Sequence, residues 1–308
     1  LVLDKLSVDS DWSKFEAGLN QRTLRVYNLA RKCVRLDSTT ANGYWEVTEG
    51  GLFQCGHSKD HRPDQPQGKV MLSTLDPLGM PVAVQVVSGE KADDPLYIPA
   101  IEQVRRGLGQ AGLLYVGDCK IMALETRTYV EEGGDYYLGP FSKVQISDDI
   151  LDAYLQPVWT GKQNITPVYR VDENGERIQV AEGYEITENL SASMAGKVVT
   201  WVERRLVVRS LAQAHAAETA LQARLVKALA ALKALNERRQ GKERLTELEM
   251  LRKAAEALIK QYDVAGLLTL SYIEKAEERT VRQYRDRPAE TRIERNFSLD
   301  IQRNEITI

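Results

Sequence analysis

Two aspartates close apolar, strand-like runs: Asp37 follows Val34-Arg35-Leu36, and Asp118 follows Leu113-Leu114-Tyr115-Val116-Gly117. A carboxylate at the end of a buried strand is costly unless water, a base or a cation compensates it. Two of them point to a metal site, set against the plainer reading that each caps the turn after its strand. A second cluster is Gly56-His57-Ser58-Lys59-Asp60-His61-Arg62-Pro63-Asp64. Its Lys59, His61 and Arg62 are of the types that contact phosphates and position a nucleic acid without reading its sequence. An ordinary charged loop is the alternative. Cys55, His57 and His61 invite a zinc reading, but no fourth ligand stands at a useful spacing.

The elements that must carry these residues are legible in part. Lys69 to Asp76 and Val82 to Ser88 read as short strands joined by the turn Asp76-Pro77-Leu78-Gly79. Helical spacing of Ile98, Ile101, Val104 and Leu108 predicts a helix from about Pro99 to Leu108, ended by Gly107, Gly109 and Gly112. The strand carrying Asp118 follows, then a helix from about Ala123 to Glu132 and a strand from Tyr136 to Phe141. This β-β-β-α-β-α-β order is that of a ribonuclease H-like fold, whose first and fourth strands are neighbours. Asp37 and Asp118 would then meet despite their separation in sequence.

Leu36-Asp37-Ser38-Thr39-Thr40, the loop from Gly56 to Asp64, Gly79-Met80-Pro81 with Gly89 and Asp93-Asp94, and Val116-Gly117-Asp118 together resemble the DDE transposases of bacterial insertion sequences. The similar branch carries a long insertion before the third acid. The resemblance is densest over residues 30 to 142, and its specific part is Ser-Lys-Asp-His-Arg-Pro-Asp.

The resemblance implies an α/β fold, a ribonuclease H-like mixed sheet with flanking helices, plus an inserted α+β domain containing a long helical hairpin. It implies a DNA transposase performing divalent-metal-dependent phosphodiester hydrolysis and strand transfer at insertion-sequence ends. Asp37 and Asp118 would be its first two catalytic, metal-holding acids, and Lys59, His61 and Arg62 would contact DNA. The complete enzyme would use two Mg²⁺ or Mn²⁺ ions. Its partners would be element ends and target DNA, with a homodimer to pair the ends and no membrane.

The third acid of such enzymes is a Glu on a helix, in the pattern Tyr-x₂-Arg-x₃-Glu-x₆-Lys. Counting from Tyr284 places Arg287 correctly but puts Thr291 at the Glu position and Ser298 at the Lys position, and Pro288 breaks the helix required. Glu290 and Glu294 flank a predicted strand there. The expectation is a chain truncated at both ends: it starts at Leu1 without a Met, and its third acid lies beyond Ile308. A catalytically inactive remnant that retains DNA binding or subunit pairing is therefore the alternative function.

Three regions are expected. Residues 1–29 form a helical lead-in, the remnant of an N-terminal region, with an amphipathic stretch from Asp11 to Ala30 packing on the sheet. Residues 30–142 form the first part of the catalytic core, and 143–308 the insertion domain, the rest of the core being absent. Within the insertion, a short helix spans Asp148 to Tyr154, and a hairpin joins Val168–Val171 to Ile178–Ala181 through Glu173-Asn174-Gly175, an Asn-Gly signal for a type I′ turn. A strand covers Lys197 to Val208. Two helices at about 211–262, broken near Gln240-Gly241, carry a stripe of Leu221, Leu225, Leu229, Leu232 and Leu235. Taken alone they suggest a coiled-coil interaction module, which the aspartates and the basic loop argue against. Alternating residues from Arg279 to Ile308 predict closing strands.

The 308 residues carry a net charge of −3 and a pI near 5.8, so any nucleic-acid contact must come from local patches, His57 to Arg62 and the basic helices between Arg204 and Lys260. No apolar run reaches membrane-spanning length and no signal peptide opens the chain, which predicts a cytoplasmic protein. Cys33, Cys55 and Cys119 form no disulfide framework, and Cys33 and Cys119 read as small buried thiols.

Overall fold

A computed structural model describes residues 2–237, 247–281 and 290–304. Gln240-Gly241, Tyr284, Arg287, Pro288 and Ile308 lie outside the described residues. The chain divides into two compact units, residues 1–164 with 184–207, and residues 165–183 with 208–308.

The first unit opens with α1 (Val2–Leu6) and α2 (Asp9–Val26). Next come β1 (Cys33–Asn42), β2 (Gln67–Leu75), β3 (Met80–Ser88), α3 (Tyr97–Leu108), β4 (Leu114–Val116), α4 (Leu124–Glu132) and β5 (Tyr136–Leu138). The strands form one sheet in the order β3-β2-β1-β4-β5. β1 pairs antiparallel with β2 and parallel with β4, and β5 runs parallel to β4. An antiparallel meander extended by two parallel strands reached through helices is the arrangement of a ribonuclease H-like sheet. The fold is α/β with a mixed sheet and flanking helices.

Local chemistry explains these elements. Along β1, Val34, Leu36 and Ser38 are buried while Arg35, Asp37 and Thr39 are exposed, the period of two of a half-covered strand. α3 buries Tyr97, Ala100, Ile101, Val104 and Leu108 on one face and ends at Gly109, whose φ of 65° is the left-handed cap that glycine favours. That face meets Val34, Leu36, Met71 and Leu75 in one apolar core. Each fully buried Leu, Ile or Val contributes about 1.5–3 kcal/mol.

α2 does not pack as its aromatic stripe predicts. Leu24 and Asn20 are its buried residues, Asn20 Nδ2 donating to the Val82 carbonyl at 2.6 Å, whereas Trp12, Phe15 and Leu19 face outward. The covered side of the helix is held by Leu24 and by the amide of Asn20 rather than by the aromatic stripe.

Later in the first unit comes α5 (Asp148–Trp159), which passes through Pro157 and so outruns the expected end at Tyr154. In residues 165–183 of the second unit, β6 (Thr166–Val171) pairs antiparallel with the start of β7 (Arg177–Met194), and β8 (Lys197–Ser210) is the next strand of that sheet. At the β6–β7 turn only Gly175 has positive φ, the Asp172 carbonyl accepts from Gly175 N, and Asp172 Oδ1 accepts from the Asn174 and Glu176 amides. This is a three-residue loop with a glycine bulge, not the expected type I′ turn. Positive φ at two consecutive residues, the I′ signature, occurs instead at Ala195 and Gly196 between β7 and β8.

β8 is fixed to its unit by a buried polar network. Glu203 accepts from Arg127 at 2.6 Å, Tyr137 at 2.6 Å and Arg205 at 2.9 Å, and Trp201 Nε1 donates to the Tyr137 hydroxyl. The second unit has its own core, where α6 (Leu211–Lys233) and α7 (Leu248–Tyr262) pack with the antiparallel pair β9 (Leu268–Val281) and β10 (Glu290–Arg303) through Leu225, Ala228, Leu232, Ala255 and Leu299. Glu290 and Glu294 belong to a strand. Among the described residues no helix is long and apolar enough to cross a membrane.

Candidate active site

The parallel pairing of β1 with β4 matches Cys33 to Leu114, Val34 to Tyr115 and Arg35 to Val116. Two residues further along are Asp37, which lies in mid-strand rather than at the strand end expected because β1 runs on to Asn42, and Asp118, in the loop after β4. Asp37 and Asp118 are both exposed, so water meets much of the desolvation cost a buried carboxylate would carry. The Asp37 carboxylate takes no hydrogen bond or ion pair from the described residues.

Asp118 is held more firmly. Its Oδ1 accepts from the Tyr97 hydroxyl at 2.6 Å and from the Lys120 amide at 2.9 Å, and its Oδ2 accepts no hydrogen bond from the described residues. Tyr97 is 1% exposed at the start of α3. Burial, the hydrogen bond to Asp118 and the nearby charges of Asp118, Asp37 and Asp93 all push its phenol far above the usual range. Tyr97 therefore acts as a hydrogen-bond donor throughout the accessible pH range.

Asp93, just before α3, is close enough to contribute to that field but is already committed. It accepts from the ammonium of Lys69 at 2.9 Å, in a pair whose side chains are 15% and 4% exposed, and Lys69 also donates to the Lys91 carbonyl. Burial raises the Asp93 carboxyl, but the hydrogen bond and charge of Lys69, with the charges of Lys59 and Lys120, outweigh it and leave the group below its ordinary value. Lys120 reaches Asp94 at 3.0 Å.

The basic loop divides. Ser58 Oγ and Asp60 accept from Asn42 Nδ2, which ties the loop to the end of β1. Lys59 Nζ donates to the carbonyl and hydroxyl oxygens of Ser38, the residue after Asp37. Arg62 is engaged in a two-point pair with Asp64 at 2.9 and 2.8 Å, which raises its already high pKa, and His61 is exposed at a φ of 57°. Lys59 thus stands beside the acids, while Arg62 is paired inside its own loop.

The donor chemistry suits a hard divalent cation. Mg²⁺ is commonly held by one or two carboxylates plus waters and substrate phosphates, and Asp37 and the Oδ2 of Asp118 are oxygens of the type it takes. No group of three His, Cys, Asp or Glu residues able to hold a metal ion occurs among the described residues. Cys33 and Cys119 are half-buried rather than core, because Cys33 starts β1 at its solvent end and Cys119 lies in the loop after β4.

Lys69 and Tyr97 are the polar residues that motif reading passes over, and Asp93 enters it only as part of Asp93-Asp94, without a role. A lysine inside the apolar run Lys69-Val70-Met71-Leu72 was the available signal, since a lysine is almost never buried without a partner.

No protein-family profile matches the chain, and no curated protein matches it. Among solved structures, a piggyBac transposase in a synaptic complex with hairpin DNA matches at a TM-score of 0.29 and 9% identity, over 55% of this chain and 32% of that one. The chain spans about a third of that protein's length, and a likeness this low carries no weight beside the strand order itself.

Proposed function

We propose that this chain is the cation- and DNA-handling part of a DDE-type DNA transposase, acting on phosphodiesters at the ends of a mobile element. The observation that supports the reading is the parallel pairing of β1, which carries Asp37, with β4, which Asp118 follows by two residues, in a ribonuclease H-like sheet. A divalent cation bound there, Mg²⁺ or Mn²⁺, would supply Lewis-acid polarisation of the phosphate and a more acidic attacking hydroxyl.

The chain's own residues have distinct tasks in this reading. Asp37 and Asp118 hold the cation, with Asp118 oriented through its Oδ1. Lys59, hydrogen-bonded to Ser38, the residue after Asp37, would bring an ammonium to a phosphate of the bound strand, and His61 and Arg62 would extend the basic surface along the same loop. Arg62 must exchange Asp64 for phosphate to do so. Element ends and target DNA are the proposed partners. A second reading, a catalytically inactive chain that retains DNA binding, is favoured by one observation, that no group of three His, Cys, Asp or Glu residues able to hold a metal ion occurs among the described residues.

Calorimetric titration with Mn²⁺ tests the proposal. The 308-residue chain is expected to bind in the range of about 10⁻⁴–10⁻³ M, as sparse oxygen-ligand sites do. Asp37→Ala and Asp118→Ala are each expected to abolish the heat. Unchanged binding in both variants would remove the basis of the assignment.

A further inference from the structure

The geometry points to Tyr97 as a positioning residue for this site: its phenol locks the Asp118 carboxylate so that Oδ1 is spent on the protein and Oδ2 is presented to the cation. The inference rests on the reading of Asp37 and Asp118 as the acids that hold a divalent ion.

Asp118 sits in the loop after β4, and an untethered aspartate there would sample several rotamers. Ordering it at the moment of cation binding would cost side-chain entropy. The structure removes that freedom in advance. Two donors of different origin, the Tyr97 hydroxyl at 2.6 Å and the Lys120 amide at 2.9 Å, converge on the same oxygen, Oδ1. The phenol comes from a ring with only two side-chain torsions, buried at the start of α3 and packed into the sheet core. Packing alone would be met by a phenylalanine. The hydroxyl is spent on Asp118.

Gly117 makes the approach close enough. A Cβ at this position would stand 3.1 Å from Tyr97 Cε1 and 3.1 Å from Ile121 Cβ, tighter than ordinary contacts. Glycine immediately before Asp118 therefore lets the ring lie against the chain that presents the carboxylate. Partners of this kind around metal ligands typically contribute 10–100-fold in metal affinity.

The test uses the full 308-residue chain with Mn²⁺ as probe, reading free Mn²⁺ by electron paramagnetic resonance and the metal-free melting midpoint on the same samples. Tyr97→Phe keeps the ring and removes one oxygen. Positioning predicts a Kd for Mn²⁺ at least about tenfold weaker with a midpoint close to that of the unaltered chain. A purely structural role predicts the reverse, a lowered midpoint and an unchanged Kd in the folded fraction, and that result overturns the inference. Asp118→Ala separates the two levels of argument. If it abolishes binding while Tyr97→Phe leaves the Kd unchanged, the inference fails and the cation site stands; if Asp118→Ala itself binds normally, the cation site fails. Should Tyr97→Phe not fold by near-ultraviolet circular dichroism, Gly117→Ala replaces it. This change displaces the ring while keeping the hydroxyl, and a folded Gly117→Ala chain with an unweakened Kd counts against the inference equally.

Discussion

Replacing Lys69 by methionine probes how much of the site's frame depends on one buried ion pair. Methionine keeps most of the lysine stem, so the apolar packing of β2 survives while the ammonium is lost. The Asp93 carboxylate, with its side chain 15% exposed, then loses its 2.9 Å partner, and the Lys91 carbonyl loses its donor. Removing one member of a buried pair typically costs 3–5 kcal/mol. The charges of Lys59 and Lys120 still reach Asp93, which sets the expectation at the lower end, about 3 kcal/mol. In a unit of this size that lowers the melting midpoint by about 6–12 °C.

The pH dependence provides a second signature. The folded carboxyl of Asp93 titrates below its unfolded value, so its contribution to stability is complete above about pH 3.9 and is lost as the pH falls through the folded value. Thermal melts from about pH 2.5 to 7 are expected to show a shallower acid limb in Lys69→Met than in the unaltered chain. The double variant Lys69→Met/Asp93→Asn, which leaves no uncompensated charge, is expected to recover much of the lost midpoint. A Lys69→Met midpoint within about 2 °C of the unaltered chain on this scale would refute the reasoning.

Two further outcomes follow from the same structure. Glu203→Gln leaves Arg127 and Arg205 without their shared carboxylate and is expected to cost about 3 kcal/mol by thermal melting. Burial raises that carboxyl, but donation from Tyr137, Arg205 and Arg127 lowers it overall, so its stabilisation is present above about pH 4.3 and fades on acidification, a dependence the glutamine variant is expected to lack. DNA binding by the basic loop is expected to be non-specific and steeply salt-dependent. Lys59→Ala with Arg62→Ala is expected to flatten the slope of log affinity against log salt by about one for each phosphate that is no longer neutralised, and an unaltered slope would make the loop structural.

What the sequence disclosed and what it withheld have different physical origins. The five core strands and α3 were legible because their apolar spacing is local: Val34 and Leu36 alternate, and Ile101, Val104 and Leu108 recur at helical intervals. The outer half of β7 was not, since from Glu185 to Met194 the half-buried row of Ile186, Leu190, Ala192 and Met194 is interrupted by Glu188 and flanked by polar residues. Asn-Gly misdirected the I′ assignment because Asp172 caps its own turn and needs left-handed backbone only at Gly175. In α2 the larger side chains were expected inward, yet Asn20 and Leu24 hold the buried face. Asp37 and Asp118 could be picked out as acids that follow apolar runs, although β1 continues past Asp37 to Asn42. Their supports could not, because the contacts of Tyr97 with Asp118, Lys69 with Asp93 and Lys59 with Ser38 join residues far apart in the chain.

The most direct test of the central claim is a crystal of the chain soaked in Mn²⁺ and measured at a wavelength where manganese scatters anomalously. The account predicts an anomalous peak between Asp37 of β1 and Asp118 after β4, about 2.0–2.3 Å from Asp118 Oδ2 and from an Asp37 carboxylate oxygen, with water filling the remaining positions. A well-occupied peak elsewhere, with Asp37 and Asp118 bare, would contradict it.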